Sequence, residues 1–188
     1  MSIDFTQADF DVTKRRELPL LIKKSLINIE RGKWHFHPKY HGKAQFFIHY
    51  HEGLMYTSSQ ILKALKSLLE SQIAQFAIRS ELKKIEALCY QLFENAERHH
   101  LIEDHSYFPG FKKIEPKLAA GIDLLENDHK RLSTALFELK ISLNQSLLMG
   151  FSYSTIGKLY QRAETVDLIL TQHLYDEEEI IIPIFLKY

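Results

Sequence analysis

The sequence is poor in several things, and each shortage excludes something. Cysteine occurs once, at Cys89, so neither an intrachain disulfide nor a zinc site built on a cysteine cluster is available. Seven glycines and five prolines in 188 residues leave little turn material, which favours few, long elements. No sign of charge dominates. The 24 lysines and arginines balance 24 aspartates and glutamates, which argues against broad attraction to nucleic acid or an anionic membrane. No stretch approaches the roughly 18 consecutive apolar residues of a membrane span. The opening MSIDFTQADFDVTKRRELPL lacks the apolar segment of a secretory signal, so a soluble, cytoplasmic protein is expected. No Ser-His-Asp triad, phosphate loop or nucleic-acid motif is found, and none therefore indicates an organic substrate or a polymer partner.

Leucine, isoleucine, lysine and glutamate are plentiful, which points to helix. From residue 46 onward, apolar residues recur at helical spacing in four long blocks. The stripes are His51, Leu54, Ile61, Leu65 and Leu68; then Leu82, Ile85, Cys89, Leu92, Ala96 and His99; then His129, Leu132, Leu136, Leu139 and Leu143; and last Ile156, Leu159, Ala163, Val166, Leu170 and His173. Breaks are expected in the polar stretch from Glu70 to Ser80, at YFPGF with Pro109 and Gly110, and at Met149-Gly150. Gly150 suits a helix C-terminus, and Ser152 or Ser154 suits the next N-cap. The pattern predicts an all-α fold, an up-down-up-down antiparallel four-helix bundle over residues 46–188. Residues 1–45 read as an extension packed on it, with one short amphipathic helix over Leu18 to Arg31 and the histidine-rich loop WHFHPKYHG. Cys89, mid-stripe, reads as a small core residue.

Ten histidines are the excess to be explained, and an internal repeat sorts them. HHLIEDHSYFP from His99 matches HLYDEEEIIIP from His173: each has a histidine, a glutamate four residues on and a proline six after that. His51-Glu-Gly-Leu54 likewise matches His129-Lys-Arg-Leu132. The chain thus reads as two copies of a helical hairpin. An antiparallel bundle would bring His51, His99, Glu103, His129, His173 and Glu177 together at one end, on inward-facing stripes. Positions i and i+4 share a helix face, so each His-x3-Glu pair offers a nitrogen and a carboxylate to one point. Two buried glutamates are costly unless cations compensate them. Imidazole nitrogens suit iron, zinc, copper or nickel, and carboxylates can bridge two metals.

Other frames compete. His100-x3-Asp104 has the same spacing, but Leu174 stands where the second copy would need a histidine, which sends His100 and His105 to the solvated face or behind the ligands. A Glu-x-x-His di-iron pattern fits Glu97-His100 and Glu126-His129, yet leaves His51, His99 and His173 without a role. His35, His37, His41 and His49 form an N-terminal group that could lid the site or donate a fifth nitrogen, or simply pack or face solvent. Tyr50, Tyr107 and Tyr175 could hydrogen-bond ligands or pack at the bundle end.

On HHLIEDHSYFP, DHKRL, HLYDEEEIIIP and YHEGL, residues 46–188 resemble the hemerythrin-like proteins, four-helix bundles that hold a non-haem di-iron centre. The resemblance implies His51, His99, Glu103, His129, His173 and Glu177 as ligands to two iron ions, with Glu103 and Glu177 as bridges; zinc or another divalent metal is the alternative. It also implies a small ligand such as dioxygen, nitric oxide or peroxide. The oxygen-carrying members use a fifth histidine one turn along the third helix, where this chain has Leu125 and Ser133, and a His-x4-Asp pair on the last helix, where it has His-x3-Glu. These departures weaken reversible oxygen carriage. They leave sensing of dioxygen, nitric oxide or redox state, iron handling, or a di-iron enzyme acting on peroxide or oxygen. A metal-free structural bundle is the remaining alternative.

Overall fold

In the computed structural model the described residues are 4, 5, 7–70, 75–149 and 152–188. Among them every regular element is helical: α1 (Leu20–Lys23), α2 (Gln45–Glu70), α3 (Gln75–Ile102), α4 (Phe108–Ile114), α5 (Ala119–Met149) and α6 (Tyr153–Lys187). Short 3-10 turns lie at Ala8–Phe10, Arg31–Phe36 and Pro116–Leu118, a π-helical turn at Glu103–Tyr107, and a kink at Tyr40–Ala44, where His41 and Gly42 leave helical geometry. No described helix is long and apolar enough to cross a membrane.

The four long helices are those predicted from periodicity, and every residue of the four stripes is buried. α2 packs on α3 and α6, and α5 packs on α6 and more sparsely on α3. Ser152 caps α6, its hydroxyl accepting from the Thr155 amide while the Thr155 hydroxyl accepts from the Ser152 amide. The expected role of Gly150, and residues 71–74 of the expected first break, lie outside the described residues.

Two expectations are corrected. The helix foreseen over Leu18 to Arg31 is one turn, Leu20–Lys23. Ser25 turns its hydroxyl onto the Ile22 carbonyl (2.7 Å), and the Trp34 indole donates to the Ile29 carbonyl (2.9 Å), so polar groups that a helix would need are used by an irregular chain. The second break is not at Pro109-Gly110. The chain continues helically through the π-turn into α4, and Pro109, which has no N–H to donate, sits directly after the wide turn in which the Phe108 amide reaches back to the Glu103 carbonyl. The true corner is Glu115 (φ −133°, ψ 73°), followed by Pro116.

The apolar interior has two parts. The larger contains the stripes of α2, α3, α5 and α6, together with Val12. The smaller joins Leu18, Ile22, Trp34 and Ala44 of the N-terminal segment to Phe47, Phe108, Phe111, Leu118, Ile122, Leu125 and the Ile180–Leu186 end of α6. At Gly121 a side chain would meet Ile22 and Ile180, each 3.2 Å from an added Cβ; glycine allows the N-terminal segment this close approach. Along α2, α5 and α6 the predicted site residues fall between the two apolar parts. They form a polar layer within the molecule, where the sequence pattern placed them at its end. The helices overshoot: α5 starts at Ala119, well before His129, and α6 runs on past Glu177 to Lys187.

Candidate metal centre

All six predicted residues meet in that layer. His51, His129, Glu103, His173 and Glu177 are at most 3% exposed and His99 is 7% exposed. Nitrogen or oxygen atoms of His51, His99, Glu103 and Glu177 all lie within 4.8 Å of one another, and so do ring nitrogens of His100, His129 and His173. The glutamates stand between these two groups. Glu103 turns Oε1 toward His99 Nε2 (3.0 Å) and Oε2 toward His129 Nε2 (3.5 Å). Glu177 Oε2 is 3.5 Å from Nε2 of both His51 and His173.

Sequence reasoning missed His100. It is 6% exposed, stacks on His129 (centroids 4.1 Å apart) and meets His173 edge-on at 5.6 Å. The solvated-face reading fails for a reason visible in the repeat: Leu174, its counterpart, is itself buried, and an apolar counterpart marks an inward position. His105 is exposed. The N-terminal histidines do not join the cluster. His35, His41 and His49 are exposed; His37 Nδ1 accepts from the Lys39 amide, while His41 pairs with Gln45 and His49 with Glu52. Glu97 is exposed and Glu126 accepts from Lys112, so the Glu-x-x-His frame does not assemble. The tyrosines pack: Tyr50 stacks on His99 and donates to the Asn95 carbonyl, Tyr107 lies among Phe47, Phe111 and Phe185, and Tyr175 is half exposed.

Carboxylates fix two tautomers. His51 Nδ1 donates to Glu178 (3.0 Å) and His129 Nδ1 donates to Asp104 (2.8 Å), which leaves each Nε2 lone pair facing inward. Burial holds Glu103 up at about 8 and raises Glu177 too, with Glu103 adding to the latter. Burial also depresses His99 to about 3 and pushes His100 and His173 well down, with His129 contributing. Left alone at neutral pH, Glu103 and Glu177 are therefore biased toward their protonated form, and His99, His100 and His173 toward their neutral form. Cys89 lies apart in the larger apolar part, its thiol raised to about 12 by burial.

The residues fit a cation. Both oxygens of Glu103 and Glu177, both ring nitrogens of His173, and Nε2 of His100 and His129 are buried without a hydrogen-bond partner; so many orphaned polar atoms are costly in a bare protein interior. His51 and His99 aim Nε2 at each other across 2.9 Å. Both nitrogens could therefore serve one ion. Neither curated proteins nor solved structures give a significant match to the chain. A family model does, over residues 45–185, a span that contains all seven donors, and the chain belongs to the family of hemerythrin HHE cation-binding domains.

Proposed function

We propose that the chain is an up-down-up-down four-helix bundle holding a dinuclear non-haem iron centre, with which it binds or senses dioxygen, nitric oxide or redox state. The observation that carries this reading is the position of Glu103, with one oxygen facing His99 and the other facing His129, so that one carboxylate serves two groups of nitrogens. His51 and His99 would hold one ion, His100, His129 and His173 the other, and Glu103 and Glu177 would join them. His100 supplies the fifth nitrogen that the sequence pattern left open. Bound iron would contribute a redox couple and positions open to a small ligand. The chain's own residues bury most of the layer, present lone pairs through the fixed tautomers of His51 and His129, and would give two negative charges that a pair of cations neutralises.

A second reading, a di-iron enzyme acting on peroxide or oxygen, is favoured by one feature. A cavity of about 360 Å³ between α3 and α5 reaches His100 and Asp104 and is lined by Phe93, Leu136 and Phe137. It has room for a second reactant, such as an organic reductant, beside a small oxidant. Metal analysis combined with visible absorption, with and without oxygen, tests the first reading. Two ions per chain and oxygen-dependent ferric charge-transfer bands are expected. Clearly less than one metal per chain after expression in iron-replete cells overturns it. Sustained turnover of peroxide with a reductant selects the enzyme.

A further inference from the structure

The segment before residue 45 lies outside the family match, yet it sends two arginines to the back of the centre. Arg15 is 4% exposed. Its guanidinium donates to both oxygens of Asp128, to Asp176 (2.8 Å) and to the Phe10 carbonyl (3.0 Å). Asp128 precedes His129 in the chain and Asp176 precedes Glu177. Asp128 Oδ2 is also the carboxylate oxygen facing His173 Nδ1, at 3.6 Å. Arg31 repeats the arrangement. It donates to Glu178, to Glu179 and to the Tyr175 carbonyl (2.9 Å), with its guanidinium over the rings of Trp34 (4.6 Å) and Tyr175 (4.2 Å). Glu178 in turn accepts from His51 Nδ1 (3.0 Å).

We propose that the N-terminal segment is a two-point strap in which Arg15 and Arg31, acting through Asp128 and Glu178, position His173 and His51 and set how firmly the centre holds its metal. This inference rests on the metal-centre reading above. Three considerations support it. A carboxylate behind a ligating imidazole orients the ring and raises its basicity, and a carboxylate held by a guanidinium fork cannot swing away. The two arginines serve different groups of donors, His51 in one and His173 in the other. Burying Arg15 between two carboxylates is also an expensive way to gain stability alone, since apolar replacements of such buried ion pairs are often no worse. Arg15 and Arg31 are thus positioning residues that no ligand spacing in the bundle would disclose.

The test is release of iron from loaded full-length protein to a strong ferrous chelator, with the visible spectrum and the melting temperature of the metal-free protein recorded alongside. Arg15→Gln and Arg31→Gln are each expected to speed release about fivefold, less than the tenfold or more that follows loss of a carboxylate bonded directly to a ligating imidazole, and to shift the spectrum. Arg31→Lys, which keeps the charge beside Glu178, should release at an intermediate rate. Lys23→Gln, which breaks only the exposed pair with Glu17 in the same segment, should release as wild type does. Release at the wild-type rate from Arg31→Gln overturns the strap, whatever happens to the melting temperature. If Arg15→Gln does not fold, Arg31→Gln decides alone, because the Arg31 side chain is one-third exposed. Wild-type protein that takes up no metal overturns the metal-centre reading as well, whereas loaded wild type with indifferent variants overturns the strap alone.

Discussion

The two copies of the hairpin share a ligand spacing and differ in what stands behind it. In the first, Glu103 opens a π-helical turn, the next residue, Asp104, has a side chain 36% exposed, and a cavity comes up to His100. In the second, Glu177 lies inside an unbroken helix. Its neighbours Asp176 and Glu178 are gripped by arginines from the N-terminal segment, and Leu174 stands where the first copy has His100. Residue type and spacing are thus kept in both copies while the surroundings diverge, giving one flank that is sealed and one that meets solvent. π-turns are frequent at functional sites because they shift side chains off the regular helical register, and here the turn carries a glutamate that faces both groups of histidines.

If both glutamates serve both groups, the copies fail together at that position. Glu103→Ala and Glu177→Ala should each reduce metal content from two ions per chain to below one, the largest effect expected of any single change. Elemental analysis of the purified variants measures it. A variant that keeps one tightly held ion would show that its glutamate belongs to a single group.

His100→Leu makes the first copy resemble the second. Leucine is already accommodated at the counterpart, Leu174, so the fold should tolerate it. Metal content should fall from two ions toward one. The metal-free protein should gain about 1 kcal/mol, because a buried imidazole nitrogen without a partner is replaced by an apolar group. His105→Leu, on an exposed position, should change neither. Full metal content in His100→Leu would return the fifth nitrogen to water or another side chain.

The same comparison marks what was legible in the sequence. The four stripes were, because helical periodicity repeats over many turns and every member proved buried. His51, His99, His129 and His173 were, because the repeat doubled a signal too weak at any single histidine. His100 was not, since a leucine at the counterpart position, Leu174, says nothing of metal binding and signals only that the position is inward. The corner at Glu115 was obscured by Pro109, which a helix accepts in its first turn. Arg15 and Arg31 had no local signal at all. Their carboxylates lie 113 to 161 residues away in sequence, and the segment that carries them has no copy elsewhere in the chain.

A pH series separates the bare centre from the loaded one. In the metal-free protein Glu103 is held up at about 8 by burial, whereas in the unfolded chain it ionises near 4.5. Between pH 6.5 and 8 the unfolded state has therefore given up a proton that the folded state keeps, and stability falls as pH rises through this window. Glu177, also raised, adds to the slope. His99, His100 and His173, all depressed, are neutral in the folded state throughout, but in the unfolded chain they are half protonated at the lower end of the window and offset part of the decline there. They destabilise the fold further as pH falls below about 6.5. Cations that keep both glutamates ionised in the folded state remove the decline. Chemical denaturation at pH 6.5 and 8, with and without metal, should show a loss only without it. Glu103→Gln should remove the first copy's share of that loss.

The smallest effect expected lies on the open flank. Asp104 accepts from His129 Nδ1 (2.8 Å) just as Glu178 accepts from His51 Nδ1 (3.0 Å), so on distance alone the two carboxylates are equivalent. Their settings are not. Asp104 is exposed enough for water to take its place, and among the described residues no arginine pairs with it, whereas the Glu178 side chain is 12% exposed and held by Arg31. Asn at 104 still offers an oxygen to the same N–H, and the charge it removes is already screened by solvent. Asp104→Asn should therefore speed iron release by no more than about threefold, well short of the tenfold or greater loss that second carboxylates typically cause when removed. Glu178→Gln should fall in that larger class. Equal effects of the two variants would mean that the hydrogen bond itself, and not its burial and its arginine, decides how firmly each histidine is held, and the distinction between a sealed and an open flank would lose its energetic meaning.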